Sequence, residues 1–324
     1  MRMQSQPTLL TRGQHTNIVA RVRAVPCSGV GGGARTGQGP SGSLLMCVAN
    51  VSEGRDPSVV GRLAETCGEC LLDVHSDAHH NRCVLTLAGQ PDVLLAAVRE
   101  LASATVDLLD LASHSGVHPT FGVLDVVPWV ALEGWPLHDA EESAPSAGAA
   151  RSVRDAFAAW AARELRLPVF LYGPERALPD VRRWAWKQVG PDLGPPAPHP
   201  TAGSVAVGSR PLMVAYNMWM AEEVGPHQAK AIASALRSPE VRALAFPVGT
   251  SYQVSCNLVR PLQKGPAEVW DEVARFAPIT RGEVVGLVPW AVLEATPEGR
   301  WAEVGLSPDL TIEARLSATG PSTT

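Results

Sequence analysis

Short apolar runs rich in β-branched residues alternate along the chain with segments whose apolar residues recur every three or four positions. The first pattern is typical of strands and the second of amphipathic helices. In the first half, helices are predicted to begin at Asp56-Pro57 and at Pro91, because proline suits the first helical turn. The strands predicted there are 44–51, 70–76, 83–89 and 122–132. The order is therefore β-α-β-β-α-β.

The second half of the chain repeats this order. Its predicted helices begin at Gly225-Pro226 and at Pro266. Its predicted strands are 212–218, 241–248, 252–259 and 283–293. A βαββαβ order is the split βαβ arrangement of ferredoxin-like domains. We therefore predict an α+β protein built from two ferredoxin-like subdomains, with a ligand cleft between them.

The segments outside the two repeats set the predicted domain boundaries. An Ala-rich helix at about 138–165 and a strand at 168–173 follow the first repeat. The connection 174–210 is rich in Pro, Trp and Gly, and a structureless connection of that length is typically functional or disordered. The predicted parts are a flexible N-terminal extension, two subdomains and a tail, at 1–43, 44–209, 210–316 and 317–324.

The N-terminal extension has a composition of its own. Residues 1–43 contain five arginines, no acidic residue and the Gly/Ser-rich stretch SGVGGGARTGQGPSGS. This composition is faintly similar to that of a transit peptide, but it lacks the apolar core of a secretory signal. The preferred interpretation is an extended or misassigned start, with the folded part opening near Met46.

Composition and charge narrow the function classes. Hydrophobic residues make up 45% of the 324 residues, and the net charge of −5 gives no reason to expect nucleic acid or an anionic membrane surface as a partner. No apolar run reaches the roughly 18 residues that a membrane span needs. The six cysteines lack a disulfide framework. Cys67 and Cys70 have the spacing of a redox or metal pair, but no second pair completes a zinc set, so we expect buried free thiols in a reducing compartment.

Eight phrases of the sequence form an ordered set. They are CVANVSEGRD (47–56), LLDVHSDAHHNRCVLTLAGQP (71–91), GVHPTFGVLDVVPWVAL (116–132), LPVFLYG (167–173), PDLGP (191–195), LMVAYNM (212–218), QVSCNL (253–258) and VVGLVPWAVL (284–293). In order and with similar spacing, they resemble the formiminotransferase family, the glutamate formimidoyltransferases. Each phrase alone is weakly specific for the family, but the ordered set is a strong signal. The animal enzymes also carry a cyclodeaminase domain, whereas the resemblance here is to the transferase domain alone, from about residue 44 to 300.

The resemblance implies a transferase that moves a formimino group from N-formimino-L-glutamate to N5 of tetrahydrofolate in histidine degradation. It implies tetrahydrofolate as co-substrate, no metal, a cytoplasmic location and a homodimer. The family's catalytic base is the histidine of its G-x-H-P motif, which is His118 here. A histidine with an ordinary pKa near 6.5 can take the proton that N5 loses and return it to the departing nitrogen. Asp125 in the next strand is a candidate to orient the imidazole, with a hydrogen bond to loop backbone as the alternative.

The family's folate-binding loop corresponds to ten residues of this chain. Glycine and proline suit a backbone that approaches a flat pterin closely. Relatives commonly carry aromatic residues where this chain has Pro198 and Ala202, which cannot stack on a ring. Trp184 and Trp186 are alternative stacking residues, unless they merely pack within the fold. The loop residues are Gly194, Pro195, Pro196, Ala197, Pro198, His199, Pro200, Thr201, Ala202 and Gly203.

Candidate substrate-binding residues follow from the carboxylates of the implied donor. Arg55 and Arg82 are candidates because a guanidinium can hold a carboxylate in a bidentate manner. Asn50 ends an apolar strand, where a polar amide is unexpected, and Asp73 belongs to a family phrase. These four residues form the predicted substrate-binding set. Asn217 and Asn257 also interrupt apolar strands, and they either line the cleft or satisfy turn backbone.

Two departures from the family pattern keep alternatives open. Thr120 stands where the family usually has arginine, and His75 stands where it has an acidic residue. His75, His79 and His80 suggest a metal site, but their spacing lacks ligand geometry, so no metal is predicted. The alternatives are a non-catalytic folate- or ligand-binding relative and a transferase with another donor, such as formylglutamate.

Overall fold

The computed structural model describes residues 44–134, 137–139 and 145–319. The predicted extension 1–43, Cys27 within it and the last five residues of the predicted tail lie outside these ranges. The first βαββαβ unit forms an antiparallel arrangement in the order β2-β3-β1-β4, which confirms the predicted ferredoxin-like order. Its elements are β1 (Leu44–Val51), α1 (Pro57–Thr66), β2 (Leu71–Asp77), β3 (Arg82–Gly89), α2 (Pro91–Leu108) and β4 (Leu124–Glu133).

Three further strands join this sheet on the β4 side, so that it has seven strands in all. The strand β7 is parallel to both β4 and β6, and β5 pairs with β4. The predicted start of the Ala-rich helix at 138 is wrong, because residues 138 and 139 form β5 and α3 is described only from Pro145. The connection 174–210 is not structureless, since it contains α4 and β7. The elements are β5 (His138–Asp139), α3 (Pro145–Glu164), β6 (Val169–Tyr172), α4 (Leu178–Trp184) and β7 (Val205–Ser209).

The second βαββαβ unit forms a separate four-stranded antiparallel sheet in the order β11-β8-β10-β9. This order repeats that of the first unit, so the α+β class and both predicted repeats are confirmed. Two helices, α7 (Trp290–Glu294) and α8 (Ile312–Thr319), follow it. The elements of the unit are β8 (Val214–Met220), α5 (Pro226–Ala235), β9 (Val241–Val248), β10 (Ser251–Leu258), α6 (Pro266–Ala274) and β11 (Ile279–Val285).

The predicted final strand 283–293 is wrong in its second part. The strand β11 ends at Val285, and Gly286 then takes a left-handed φ of +83°. Pro289 caps the following helix α7 in an extended conformation. The apolar run 284–293 therefore contains a strand end, a turn and a helix, which its hydrophobicity alone does not distinguish.

Each sheet buries one face under its own helices, and the two units meet through the opposite faces. On β1, Ala49 and Val51 belong to the helix-covered core, so the alternation of side chains places Asn50 on the other face. On β10, Val254 and Cys256 are likewise buried under helices, which places Gln253 on the opposite face. A third apolar cluster joins residues of both units, including Met46, Val130, Leu212, Leu287 and Ile312.

The five cysteines of the described ranges are free and buried, as predicted. Burial raises the pKa of the Cys67 thiol to about 12, so this thiol stays protonated at neutral pH. The Cys67–Cys70 pair therefore lacks the thiolate character of a redox motif.

Candidate active site

Three loops converge at the end of β1: the segment after β1, the β2–β3 turn, and the segment between α2 and β4. Two glycines permit this close approach. A Cβ at Gly54 would lie 2.5 Å from the backbone oxygen of Asp77, and one at Gly116 would lie 2.2 Å from that of His80. Any side chain at either position would push the loops apart.

Asn81 ties these loops together through its side chain. It adopts a left-handed φ of +47°, which asparagine tolerates better than most residues. Its Oδ1 accepts a hydrogen bond from the Gly54 N–H at 3.0 Å, and its Nδ2 donates to the Ser115 carbonyl at 3.1 Å. The phrase Asn81-Arg82 thus fixes the start of β3 against the loop that carries His118.

His118 lies on this junction with its ring against a guanidinium. The Nη1 of Arg82 is 2.8 Å from both ring nitrogens, and His118 Nδ1 is 2.9 Å from the Pro119 carbonyl oxygen. Burial first, and then the positive charges of Arg82 and Arg182 and the neighbouring His80, together lower the pKa of His118 from 6.5 to about 2. In the free protein the imidazole is therefore neutral across the physiological range.

Arg82 is a half-buried cation whose hydrogen-bond partners are neutral. Asn50 Oδ1 accepts hydrogen bonds from its Nε, at 3.1 Å, and from its Nη2. Desolvation lowers the pKa of Arg82 to about 10 while the charge of Asp125 opposes this shift, so the guanidinium remains charged at neutral pH. Among the residues that the structure describes, no carboxylate forms an ion pair with it. A cation with no carboxylate in direct contact attracts an anionic ligand.

The buried Asp125 is paired with a residue that the sequence analysis did not single out. Its carboxylate lies 2.5 Å from Nη2 of Arg182 on α4, and it also accepts a hydrogen bond from the Phe121 N–H at 3.2 Å. Arg182 also donates to the Pro119 carbonyl at 3.1 Å. Within the described ranges Asp125 makes no hydrogen bond to the His118 ring; it is linked to the imidazole through Arg182 and Pro119, and its charge also acts on Arg82. The sequence did hint at such a partner, because an acidic residue inside an apolar strand is buried and a buried carboxylate requires a partner.

The second unit also contributes to this site. Gln253 Oε1 on β10 lies 2.9 Å from His80 Nε2. The ring of Phe246 on β9 lies 5.2 Å from His80 and 5.8 Å from His118, between ring centres. In the described part of the chain, His80 Nδ1 and Gln253 Nε2 are buried without a hydrogen-bond partner. The sequence analysis missed Phe246 and Gln253, because no local pattern marks a contact between separate sheets.

The predicted folate loop packs beside the same segment. His199 and Gly203 exchange two backbone hydrogen bonds, and the Val123 N–H donates to the Ala202 carbonyl at 3.0 Å. Gly203 has a φ of +70°, and a Cβ there would lie 2.4 Å from the Phe121 carbonyl oxygen. The loop is thus fixed to the residues that follow His118-Pro119.

The two candidate stacking tryptophans lie near this loop with different surroundings. Trp186, with a left-handed φ of +66°, packs edge-on against Phe170 with ring centres 5.2 Å apart. Trp184 is half-buried and lies under the Arg183 guanidinium, 5.8 Å from its ring centre. Ordinary packing therefore accounts for the contacts of Trp186.

The other predicted substrate residues separate into two groups. Asn50 contacts Arg82 directly. Arg55 donates to the Ala78 carbonyl at 2.9 Å and to Ser115 Oγ at 3.0 Å, so it braces two of the converging loops. Asp73 lies 3.5 Å from Arg315 of α8, and burial raises its pKa. Asp73 thus lines a different cavity from the residues around His118.

Thr120 and two asparagines, which the sequence analysis singled out apart from that set, have contacts of their own. The hydroxyl of Thr120 lies 2.8 Å from that of Ser52, so the position that carries arginine in the family instead ties the loop to the segment after β1. Asn217 is buried on β8 opposite Ser255, and Asn257 faces Arg242 on β9. In the described ranges no group of three or more His, Cys, Asp or Glu side chains is arranged to hold a metal ion. No helix there is both long and apolar enough to cross a lipid bilayer.

Comparison with known proteins gives one family. The model described as formiminotransferase domain, N-terminal subdomain, matches residues 44–210. The chain is 31% identical over 286 residues to the glutamate formimidoyltransferase of Thermoplasma acidophilum, with 76% of this chain and 88% of that protein covered. It is 30% identical over 287 residues to the formimidoyltransferase-cyclodeaminase of Sus scrofa, with 77% and 51% covered, so it spans about half the length of that relative. The chain belongs to the formiminotransferase family.

Proposed function

We propose that this protein transfers a formimino group from N-formimino-L-glutamate to N5 of tetrahydrofolate, with His118 as the acid–base residue. The observation that carries the proposal is the contact between His118 and Arg82, a half-buried cation that forms no ion pair among the described residues. A catalytic base beside such a cation suits a reaction whose donor carries two carboxylates. The names of the relatives from Thermoplasma acidophilum and Sus scrofa support the formimidoyl group as the group that is transferred.

In the proposed reaction, His118 moves one proton from the attacking nitrogen to the departing one. The N5 lone pair attacks the amidine carbon, forming the N5–C bond, and His118 takes the proton from N5. The C–N bond to glutamate then breaks, and His118 returns the proton to the departing nitrogen. The products are glutamate and 5-formiminotetrahydrofolate. Such proton transfer typically contributes about 10²–10⁴-fold to the rate.

In this proposal, binding of the donor raises the pKa of His118. In the free protein, burial and two guanidinium groups hold the pKa of His118 far below neutrality, which makes it a weak base. A donor carboxylate bound to Arg82 neutralises one of those charges and raises the pKa of the imidazole. His118 is then a stronger base with the donor in place than without it. Asn50 positions Arg82, and Asp125 positions Arg182.

The remaining elements of the proposal rest on the family resemblance. Tetrahydrofolate is the co-substrate, and loop 194–203 lies against it in the cleft between the predicted subdomains 44–209 and 210–316. Because Pro198 and Ala202 cannot stack, Phe246, whose ring centre lies 5.8 Å from that of His118, is the proposed aromatic neighbour of the pterin. The proposal includes a role in histidine degradation, a cytoplasmic location and a homodimer.

A second donor is favoured by one observation. Two guanidinium groups act on His118, and a formimino group is itself positively charged at neutral pH, so like charges oppose its approach. A formyl group carries no charge. Formylglutamate is therefore the second candidate donor, with the same acceptor and the same base.

A steady-state assay of the purified chain tests the proposal. Tetrahydrofolate is offered with formiminoglutamate or with formylglutamate, and the 5-formimino and 5-formyl products are followed separately. Faster turnover of formiminoglutamate supports the first donor, and faster turnover of formylglutamate replaces it with the second. If neither donor turns over while calorimetry detects tetrahydrofolate binding, the protein is a non-catalytic folate-binding relative and the proposal is wrong.

A further inference from the structure

Arg281 and Trp219 form a stacked pair at the edge of the second sheet. They are opposite each other on β11 and β8, and the guanidinium carbon of Arg281 lies 4.5 Å from the centre of the Trp219 ring. His79 of the first unit lies edge-on to the same indole, with ring centres 6.5 Å apart. The indole therefore contacts a cation of the second unit and a histidine of the first.

This pair lines a cavity of about 340 Å³ that the site around His118 does not include. Its other walls come from the β9–β10 turn, Glu222, Thr280 and His79. Arg281 also lines a second cavity of about 260 Å³, with Asp73, Glu283 and Arg315. Arg281 thus stands at the junction of two cavities that lie between the units.

The cation–π contact leaves the hydrogen-bond donors of Arg281 available. A guanidinium attracted to an aromatic face still offers its N–H donors to a planar anion such as a carboxylate. The Arg281 side chain is 43% exposed, and its ion pair with Glu283 spans 3.9 Å, which is long. A carboxylate that enters the cavity can therefore form the shorter, bidentate pair that Glu283 does not.

The position of the cavity indicates which of the proposed substrates reaches it. A series of aromatic contacts runs from the cavity towards His118. Trp219 contacts His79, and the next residue, His80, has its ring centre 5.9 Å from that of His118. The donor carries its carboxylates only a few bonds from the reacting carbon, where Arg82 already lies. The acceptor carries its carboxylates at the far end of an aminobenzoyl spacer. The acceptor is therefore the proposed substrate whose carboxylates lie far from its reacting atom.

We propose that the cavity beside Trp219 holds the aminobenzoyl-glutamate tail of the acceptor, and that Arg281 binds a glutamate carboxylate of that tail. The inference rests on the proposed function, because it names the part of the acceptor that reaches this cavity. Trp219 positions the guanidinium. Glu222 and Thr250, joined by a hydrogen bond of 3.1 Å, line the same cavity and offer an acceptor for the amide N–H of the tail.

The test compares two acceptors, tetrahydrofolate and tetrahydropteroate, which lacks the glutamate. In Arg281→Gln, we expect KM for tetrahydrofolate to rise about tenfold or more, and KM for tetrahydropteroate to change by less than about twofold. Trp219→Leu should move both values in the same direction by smaller factors, while Trp219→Phe should restore most of the loss. Arg275→Gln, at the exposed end of α6, is the matched control.

Each outcome decides the inference. Equal increases for both acceptors, or an unchanged KM for tetrahydrofolate, would overturn it while leaving the transfer reaction intact. If the wild-type protein turns over neither acceptor, the proposed function fails, and calorimetry with 4-aminobenzoyl-glutamate then decides the tail site separately. Binding that Arg281→Gln weakens and Arg275→Gln does not would sustain the site. Equal binding by all three proteins would reject it.

Discussion

The Nη1 atom of Arg82 lies 2.8 Å from both ring nitrogens of His118, so the guanidinium approaches the imidazole between its two nitrogens. A neutral imidazole has one acceptor nitrogen, so this donor-only group can hydrogen-bond to only one of the two, and its charge opposes protonation of the ring. The contact therefore links the occupancy of the proposed carboxylate site to the basicity of the proposed catalytic residue.

Arg82→Lys should weaken donor binding while keeping the charge. An ammonium cannot hold a carboxylate in a bidentate manner, and it loses the two hydrogen bonds to Asn50. We expect KM for the donor to rise about tenfold or more and KM for tetrahydrofolate to change little. Initial rates at varied donor concentration measure this. Arg62→Lys, on the exposed side of α1, is the control, and an unchanged donor KM in Arg82→Lys would remove Arg82 from the donor site.

The stability of the protein should fall with pH below about 6.5 in a way that depends on His118. Its folded-state pKa is about 2 and the unfolded value is 6.5, so between these values the unfolded chain binds a proton that the folded chain does not. This histidine therefore contributes nothing to the pH dependence above 6.5. Below 6.5 it lowers the free energy of unfolding by up to about 1.4 kcal/mol per pH unit.

Urea unfolding at pH 7.5 and 5.5 tests this prediction. His118→Asn cannot titrate, so its loss of stability between the two pH values should be smaller than that of the wild type. His227→Asn, an exposed histidine on α5, should behave like the wild type. Identical pH dependence in all three proteins would show that His118 has an ordinary pKa when folded.

Removing Arg182 should destabilise the fold, because Asp125 is buried and would lose its counter-ion. Breaking a buried ion pair by deleting one partner typically costs about 3–5 kcal/mol. We expect Arg182→Ala to approach the lower end of this range, since Arg182 itself is partly exposed. Arg182→Ala combined with Asp125→Asn should cost less than the sum of the single changes. The neighbouring Arg183→Ala, measured by the same denaturant titration, controls for loss of a surface arginine.

Gly116→Ala should reduce turnover without changing any group that takes part in the chemistry. The new Cβ would clash with the His80 backbone and displace the loop that carries His118. A displacement of about 1 Å at a reacting group can cost about 10²-fold in rate. Gly61→Ala within α1 is the control, because a Cβ there meets no atom within 4 Å and should raise stability by about 0.5–1 kcal/mol. Equal turnover in both variants would contradict the importance of the close approach.

Local pattern predicted the fold well because each βαββαβ unit buries one face of its sheet under its own helices. The exceptions were places where backbone conformation overrides hydrophobicity, as at Gly286 and Pro289 in the last apolar run. Proline at the first helical position correctly marked the starts of α1, α2, α5 and α6.

The candidate site was only partly predictable for a related reason. Asn50, Arg82 and His118 lie in phrases that resemble the family, and the structure brings them together. Arg182 lies 57 residues from Asp125, and Gln253 lies 173 residues from His80, so no spacing rule connects either pair. A buried acid predicts that a partner exists without saying which one, and a contact between two sheets leaves no periodic trace in either strand.

The central claim is that His118 carries the proton in a formimino transfer, and one measurement tests it most directly. Formiminoglutamate labelled with ¹³C in the formimino carbon is mixed with tetrahydrofolate, and NMR follows that carbon. The wild type and His227→Ala should move the label to N5 of the folate, whereas His118→Ala should do so about 10²–10⁴-fold more slowly while still binding tetrahydrofolate. Transfer at the wild-type rate by His118→Ala would contradict the account.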